Sequence, residues 1–106
     1  MTNLELAQYV FPRIFKDPPT IKEEDGEIVI GDMTITPTKI RRKSIGKWIF
    51  VDGFTVTLAV VRSNYPHSPD DVDIVYLGKA VFFGEALGLV VKQYSVTMLD
   101  AVNPMF

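Results

Sequence analysis

Hydrophobic positions recur with a period of two through the middle of the chain and with a helical period near both ends, which predicts a sheet flanked by helices. Residues 20–26 are polar and turn-like. The clearest alternation follows in residues 27–36, around a Gly31-Asp32 pair that suits the two-residue loop of a hairpin. In that register four apolar side chains share one face, in the pairs Ile28–Ile35 and Ile30–Met33.

A second hairpin is predicted over residues 47–62, after Pro37 ends the first one. Asp52-Gly53 is expected at its turn, because both loop positions of a type I′ turn need positive φ. This register puts four apolar side chains on one face: Ile49, Val51, Phe54 and Val56. Trp48 and Phe50 then lie on the opposite face. A strand that is apolar on both faces is usually covered on both sides, so we expect the second face to be covered by a helix or by another subunit.

The first helix is predicted from a capping box formed by Thr2 and Glu5. Pro12 should end or kink it near Phe11, because proline lacks a backbone donor and clashes with the preceding turn.

A second helix is predicted from about residue 79 to at least residue 94, after a short strand in residues 73–77 that Gly78 ends. Gly84 and Gly88 weaken this helix, and tight packing on the sheet explains them better than close approach of another backbone. Residues 93–99 fit either a helix or a strand. Together these elements predict a single α+β domain over residues 1–106, with a four-stranded antiparallel sheet of two hairpins, a fifth short strand left open, and a helix at each end.

The composition mainly excludes certain kinds of site and certain classes of protein. The chain has 106 residues, a net charge of −2 and a mean hydropathy of +0.17, as expected for one globular domain. It has no cysteine, which excludes disulfides, a thiolate nucleophile and a Cys-based zinc site. The first residues do not resemble a secretory signal, and the longest apolar run falls short of the ~20 residues of a membrane span. We therefore expect a soluble, cytoplasmic protein without a membrane partner.

A basic segment, residues 39–47, stands out against an otherwise acidic chain. Its five cations are Lys39, Arg41, Arg42, Lys43 and Lys47, and it contains no acid. Trp48 and Phe50 follow directly, so cations and aromatic rings together offer a surface on which nucleic acid could stack. A solvated connection between the hairpins, or a patch that pairs with the acidic surface of another subunit, explains the same residues.

An acidic turn holds the only histidine, beside three carboxylates: His67, Asp70, Asp71 and Asp73. Such side chains can bind a divalent metal, which makes a metal-dependent hydrolase one reading of the chain. The spacing matches no established metal motif, and Asp and Pro are ordinary turn residues, so the structural role is favoured. No serine has a nucleophile-elbow setting and no glycine-rich phosphate loop is present, so we predict no catalytic residue and no cofactor.

The same turn carries Tyr65-Pro66-His67-Ser68-Pro69 directly after the last long predicted strand. This stretch resembles the Y-P-x-x-P turn that follows the β-meander in the ubiquitin-conjugating fold and its RWD-domain relatives. Asp70 stands where that family often has a second proline, there is no His-Pro-Asn stretch, and without cysteine no thioester can form. The resemblance therefore implies a non-catalytic, RWD-like binding module in which Tyr65, Pro66 and Pro69 are structural.

These observations favour a non-enzymatic protein–protein interaction module that forms homo-oligomers. Small proteins of this kind are common as phage or accessory components. The partner-binding residues are predicted to be Trp48, Phe50, Arg41, Arg42, Lys43 and Lys47. A nucleic-acid-binding protein using residues 39–47 and a metal-dependent hydrolase at residues 67–73 are the alternatives.

Overall fold

A computed structural model describes residues 1–61 and 72–102, and the fold class predicted from the sequence is confirmed. Its elements are α1 (Asn3–Ile14), β1 (Ile21–Glu24), β2 (Glu27–Ile30), β3 (Met33–Ser44), β4 (Lys47–Val61), β5 (Val72–Ala80) and α2 (Phe83–Val102). Within the described residues the five strands form one antiparallel sheet in the order β1-β2-β3-β4-β5. The chain is therefore a meander between two helices.

The capping box of α1 is confirmed. The Thr2 hydroxyl accepts from the Glu5 N–H at 3.1 Å, and the Thr2 N–H donates to the Glu5 carboxylate at 3.1 Å. Of the end or kink expected near Phe11, the end does not occur, because α1 continues through Pro12 to Ile14. Pro12 costs the helix only the one bond that an N–H at this position would donate to the Gln8 carbonyl, and the buried Phe11 ring packs 5.5 Å from that of Phe15 across this turn.

The first hairpin has the predicted register, with Ile28 opposite Ile35 and Ile30 opposite Met33. Residues 20–26, read as a turn, instead contain β1 and a tight turn at Asp25-Gly26, where φ is +50° and +80°. The exposed polar residues of β1 hide the alternation that marks a half-buried strand.

The predicted turn at Asp52-Gly53 was wrong, because both residues lie inside β4. β3 turns into β4 at Ile45-Gly46, with φ of +50° and +74°, and twelve residue pairs connect the two strands. Pro37 does not end a hairpin but lies within β3 opposite Phe54. β2 pairs with β3 only as far as Ile35, so Pro37 occupies an edge position of the kind in which strands tolerate proline.

α2 begins later than predicted, because β5 extends to Ala80. Gly78 lies inside β5, where an added Cβ would be 2.9 Å from the side chain of Leu89, so glycine here lets α2 pack closely on the sheet. The open choice for residues 93–99 is settled as helix. Gly84 and Gly88 are exposed and meet nothing within 4 Å, so tight packing on the sheet does not explain them.

Both helices pack on one face of the sheet. They share a single buried cluster with the strands: Ala7, Phe11, Ile28, Ile30, Met33, Ile35, Val56, Ala80, Phe83, Ala86, Leu87 and Val90. We call this side of the sheet the helix face. Of the two covers expected for the second face, a helix is absent among the described residues, because both helices pack on the helix face. The second face carries half-buried threonines on β3 and β4 and the exposed Ile74 and Tyr76 on β5.

Candidate interaction surface

The basic segment lies on a two-stranded extension of the sheet. In residues 38–53, β3 and β4 pair only with each other, because β2 stops at the level of Ile35 and β5 at the level of Phe54. We call this segment the arm. Seven residue pairs at 3.3 Å per residue give it a length of about 23 Å. It accounts for the elongated shape of the described chain, whose principal extents are 51 × 33 × 30 Å.

Three residue pairs of the arm continue the helix face beyond the helices: Lys39–Asp52, Arg41–Phe50 and Lys43–Trp48. Because the turn is at Ile45-Gly46, Trp48 and Phe50 share the face of Val56 and the buried core. The prediction that the two rings lie on the face opposite Val56 was therefore wrong. The two rings stand in a short column beside a column of cations.

These side chains are ordered by contacts within the arm yet stay open to solvent. The Arg41 guanidinium lies over the Trp48 ring with Cζ 4.3 Å from its centroid, and Lys39 forms an ion pair with Asp52. Trp48 is 58% exposed and Phe50 is 70% exposed. All residues from 41 to 50 are exposed, so this part of the arm adds nothing to the core.

The opposite face of the arm holds the other predicted binding residues. Arg42 lies opposite Ile49 there, and Lys47 lies opposite Ser44. Nearer the base of the arm, Ile40 is buried against Gly53. A Cβ added to Gly53 would overlap the Ile40 Cδ1 atom and lie 2.8 Å from the Ala80 carbonyl oxygen. The arm thus brings Arg41, Lys43, Trp48 and Phe50 together and separates Arg42 and Lys47 from them.

A hollow of about 330 Å³ lies at the base of the arm, which sequence reasoning missed. Its lining residues are Pro37, Thr38, Lys39, Asp52, Gly53 and Phe54. Phe54 is held from behind by Phe83, whose ring lies 5.5 Å away at 78°. The hollow forms where α2 stops covering the sheet, and it depends on Asp52 and Gly53 being strand residues, so the predicted turn concealed it.

Charge is divided between the arm and the remainder of the chain, which we call the body. The arm carries five cations and one carboxylate, whereas the body carries six cations and twelve carboxylates. Four of the body's carboxylates belong to the β1–β2 hairpin: Glu23, Glu24, Asp25 and Glu27. Since Ile28 pairs with Ile35, the turn of that hairpin lies at the end of the sheet from which the arm projects. The cationic arm therefore projects from an acidic body, and it does so next to the acidic β1–β2 turn.

The predicted metal-site residues His67, Asp70 and Asp71 lie outside the described residues, as do Tyr65, Pro66 and Pro69 of the resemblance. Among residues 1–61 and 72–102 no three His, Cys, Asp or Glu side chains lie close enough to hold a metal ion. No helix in this part of the chain is both long and apolar enough to cross a membrane.

Comparisons with known proteins give no further guide to the surface. No protein-family model matches the chain, and neither a curated protein nor a solved structure is significantly similar to it.

Proposed function

We propose that the protein is a non-enzymatic protein–protein interaction module, that the arm is its binding element, and that the arm binds another copy of the chain. The observation that supports this is the exposure of the arm. Residues 41–50 contribute nothing to the core, yet they include Trp48, Phe50 and the 99% exposed Ile45. Large apolar side chains grouped at a projecting tip are typical of an interaction site.

The residue types favour a protein partner. Arginine and tryptophan are enriched among the residues that dominate binding energies at protein interfaces, and Arg41 and Trp48 are already stacked on each other. A partner for this arm should be acidic, and the acidic body of a second copy meets that requirement. Opposite charges on arm and body would also guide the two copies into orientation.

Self-association is tested by measuring the solution mass of the full chain over a range of concentrations. We expect the mass to rise at tens of micromolar, where an interface with a Kd of about 1 μM is occupied. The variant Arg41→Glu, Arg42→Glu, Lys43→Glu should remain monomeric. The matched control, Lys16→Glu, Lys79→Glu, Lys92→Glu, reverses three exposed cations outside the arm and should lose less association. A wild-type chain that stays monomeric contradicts the proposal.

Nucleic-acid binding is the second candidate, favoured by the juxtaposition of the Arg41 guanidinium, the Trp48 ring and the Phe50 ring on one strand pair. A two-stranded ribbon fits the major groove of DNA, and exposed rings can stack on unpaired bases. The acidic body opposes it. A gel-shift titration over salt separates the two functions, because absence of binding at low salt removes this candidate.

The cellular setting follows from weaker arguments. The absence of cysteine fits a reducing compartment, so we propose a cytoplasmic location. The likeness to RWD domains implies the same class of non-catalytic binding function, and it stays a prediction, as does an origin as a phage or accessory component.

A further inference from the structure

Building on the proposed self-association, we infer the surface that receives the arm. Two copies place their arms antiparallel with the helix faces together, and Trp48 of each copy enters the hollow at the base of the other copy's arm. The interface is isologous, so the same contact occurs twice around one two-fold axis.

The spacing of the cross-strand residue pairs along the arm, which we call rows, permits this arrangement. Trp48 and the hollow residue Phe54 are six residues apart on the same face of β4, which is about 20 Å along the strand. When the Lys43–Trp48 row of one copy faces the Pro37–Phe54 row of the other, two-fold symmetry brings the reciprocal rows together as well. The Arg41–Phe50 row then faces the Lys39–Asp52 row. One placement therefore satisfies both hollows.

The hollow suits an aromatic ring. The hollow is open to solvent and has a volume of about 330 Å³, more than the about 150 Å³ of a closed cavity that holds benzene. Pro37 and Phe54 give it apolar walls, and the contact of Phe54 with Phe83 fixes one of those walls. An indole that enters would lose the water now covering most of its surface.

In the same arrangement of the two copies, the tip of the arm at Ile45 meets a second apolar group of the other copy. β5 ends at Ala80, opposite Phe54, and the exposed Phe82 follows just before α2. Phe82 is 68% exposed, and Ile45 extends beyond Trp48 toward that position in the other copy. The start of α2 also limits how far the arm can slide along its partner, which defines the register.

Charge favours a second copy over nucleic acid as the occupant of the hollow. The two-fold axis sets Arg41 of one copy opposite Lys39 of the other, with Asp52 diagonally across the same row, so the attraction comes from Asp52 and from the acidic β1–β2 turn that the cationic tip approaches. The Lys39–Asp52 ion pair is exposed, so the rearrangement of Asp52 toward a new cation costs little. Phosphate groups would instead meet Asp52 and the acidic turn, which repel them.

The experiment uses single-cysteine variants of the full chain, which has no native cysteine to interfere. Lys43→Cys chains and Pro37→Cys chains are mixed at tens of micromolar, and treated with a bis-maleimide linker of about 10 Å, the spacing of two packed sheets. We expect the mixed cross-link at least tenfold above the Lys43→Cys self-cross-link. Gln8→Cys, at an exposed position on α1, replaces Lys43→Cys as the control and should give background yield. Thr38→Cys, which also lines the hollow, replaces Pro37→Cys if that variant folds poorly.

The outcomes separate this inference from the proposed function. The antiparallel pairing is overturned if the chain self-associates but the Lys43→Cys self-cross-link dominates. It is also overturned if the mixed cross-link is no more frequent than that of the Gln8→Cys control. In both cases the proposed function still stands. A chain that is monomeric at every concentration, with or without nucleic-acid binding, overturns both.

Discussion

The guanidinium carbon of Arg41 lies 4.3 Å from the centroid of the Trp48 ring, across the two strands of the arm. Attraction between a cation and the face of an indole holds the two side chains in a flat stack before any partner arrives. Arg13 and Tyr9 form a comparable stack on α1, with Cζ 3.5 Å from the ring centroid. The chain therefore contains a matched control for the arm pair.

Replacement of Trp48 by alanine should weaken self-association at least tenfold, or about 1.4 kcal/mol, because the ring that fills the partner's hollow is lost. The Tm of the monomer should hardly change, since the ring is exposed. Sedimentation or light scattering over concentration measures the effect. Tyr9→Ala should leave the association constant unchanged, and an equal loss in that variant would contradict a specific role for Trp48.

Gly53→Ala should reduce the free energy of unfolding by about 1–3 kcal/mol, because the added methyl overlaps Ile40 and approaches the Ala80 carbonyl. Gly88→Ala is the comparison within a helix. Its Cβ meets nothing within 4 Å, so alanine should stabilise α2 by up to about 1 kcal/mol. Urea unfolding of both variants tests the opposite signs. A neutral Gly53→Ala would mean that Ile40 does not pack over the glycine.

Tyr94 connects α2 to the end of α1, and its two kinds of contact can be separated. Its ring lies 4.6 Å from that of Phe15 and 6.1 Å from that of Phe11, and its hydroxyl donates to the Asp17 carbonyl at 3.0 Å. Tyr94→Phe should cost about 1 kcal/mol or less, because only the hydrogen bond is lost. Tyr94→Ala should cost about 2–3 kcal/mol, because the ring packing is lost as well. Equal losses in denaturant unfolding would assign the whole effect to the hydroxyl.

The α1 cap should make stability depend on pH in the acidic range. The pKa of Glu5 lies below its ordinary value of 4.5, mainly because the Thr2 backbone N–H donates to the carboxylate and secondly through the Thr2 side chain. A lowered folded-state pKa gives stability that is present above the ordinary value and is lost as pH falls through the folded value. Glu5→Gln keeps an acceptor without the charge. The stability difference between wild type and this variant should therefore shrink on acidification, and thermal melts that show a pH-independent difference would contradict this account.

Local signals predicted part of the fold correctly. The capping box and the hairpin around Gly31-Asp32 depend on residues within a few positions of one another, and both are present. The Asp-Gly dipeptide occurs twice, and only Asp25-Gly26 makes a turn. Local sequence does not distinguish the two, because the choice depends on the long pairing of β3 with β4 that puts Ile35 opposite Val56.

The wrong position of this turn also limited what could be predicted about the candidate surface from the sequence. Ile45 carries no turn signal, since a β-branched residue disfavours positive φ. With the turn at Ile45-Gly46 instead of Asp52-Gly53, Trp48 and Phe50 lie on the same face as Val56 and not on the opposite one. The basic segment, residues 39–47, then belongs to β3, β4 and their turn instead of a connection between hairpins. The six predicted residues do lie on one arm, but their division between two faces and the hollow at its base require the register.

The arm adds none of the side chains between residues 41 and 50 to the buried cluster, so folding and recognition act on separate parts of this chain. Substitutions in the body are constrained by packing against the two helices. Substitutions near the arm's tip leave that packing intact, provided that the strands and their turn persist. Changes in the arm's length, charge and aromatic content therefore leave the scaffold unchanged, and a new binding specificity can arise without a new fold.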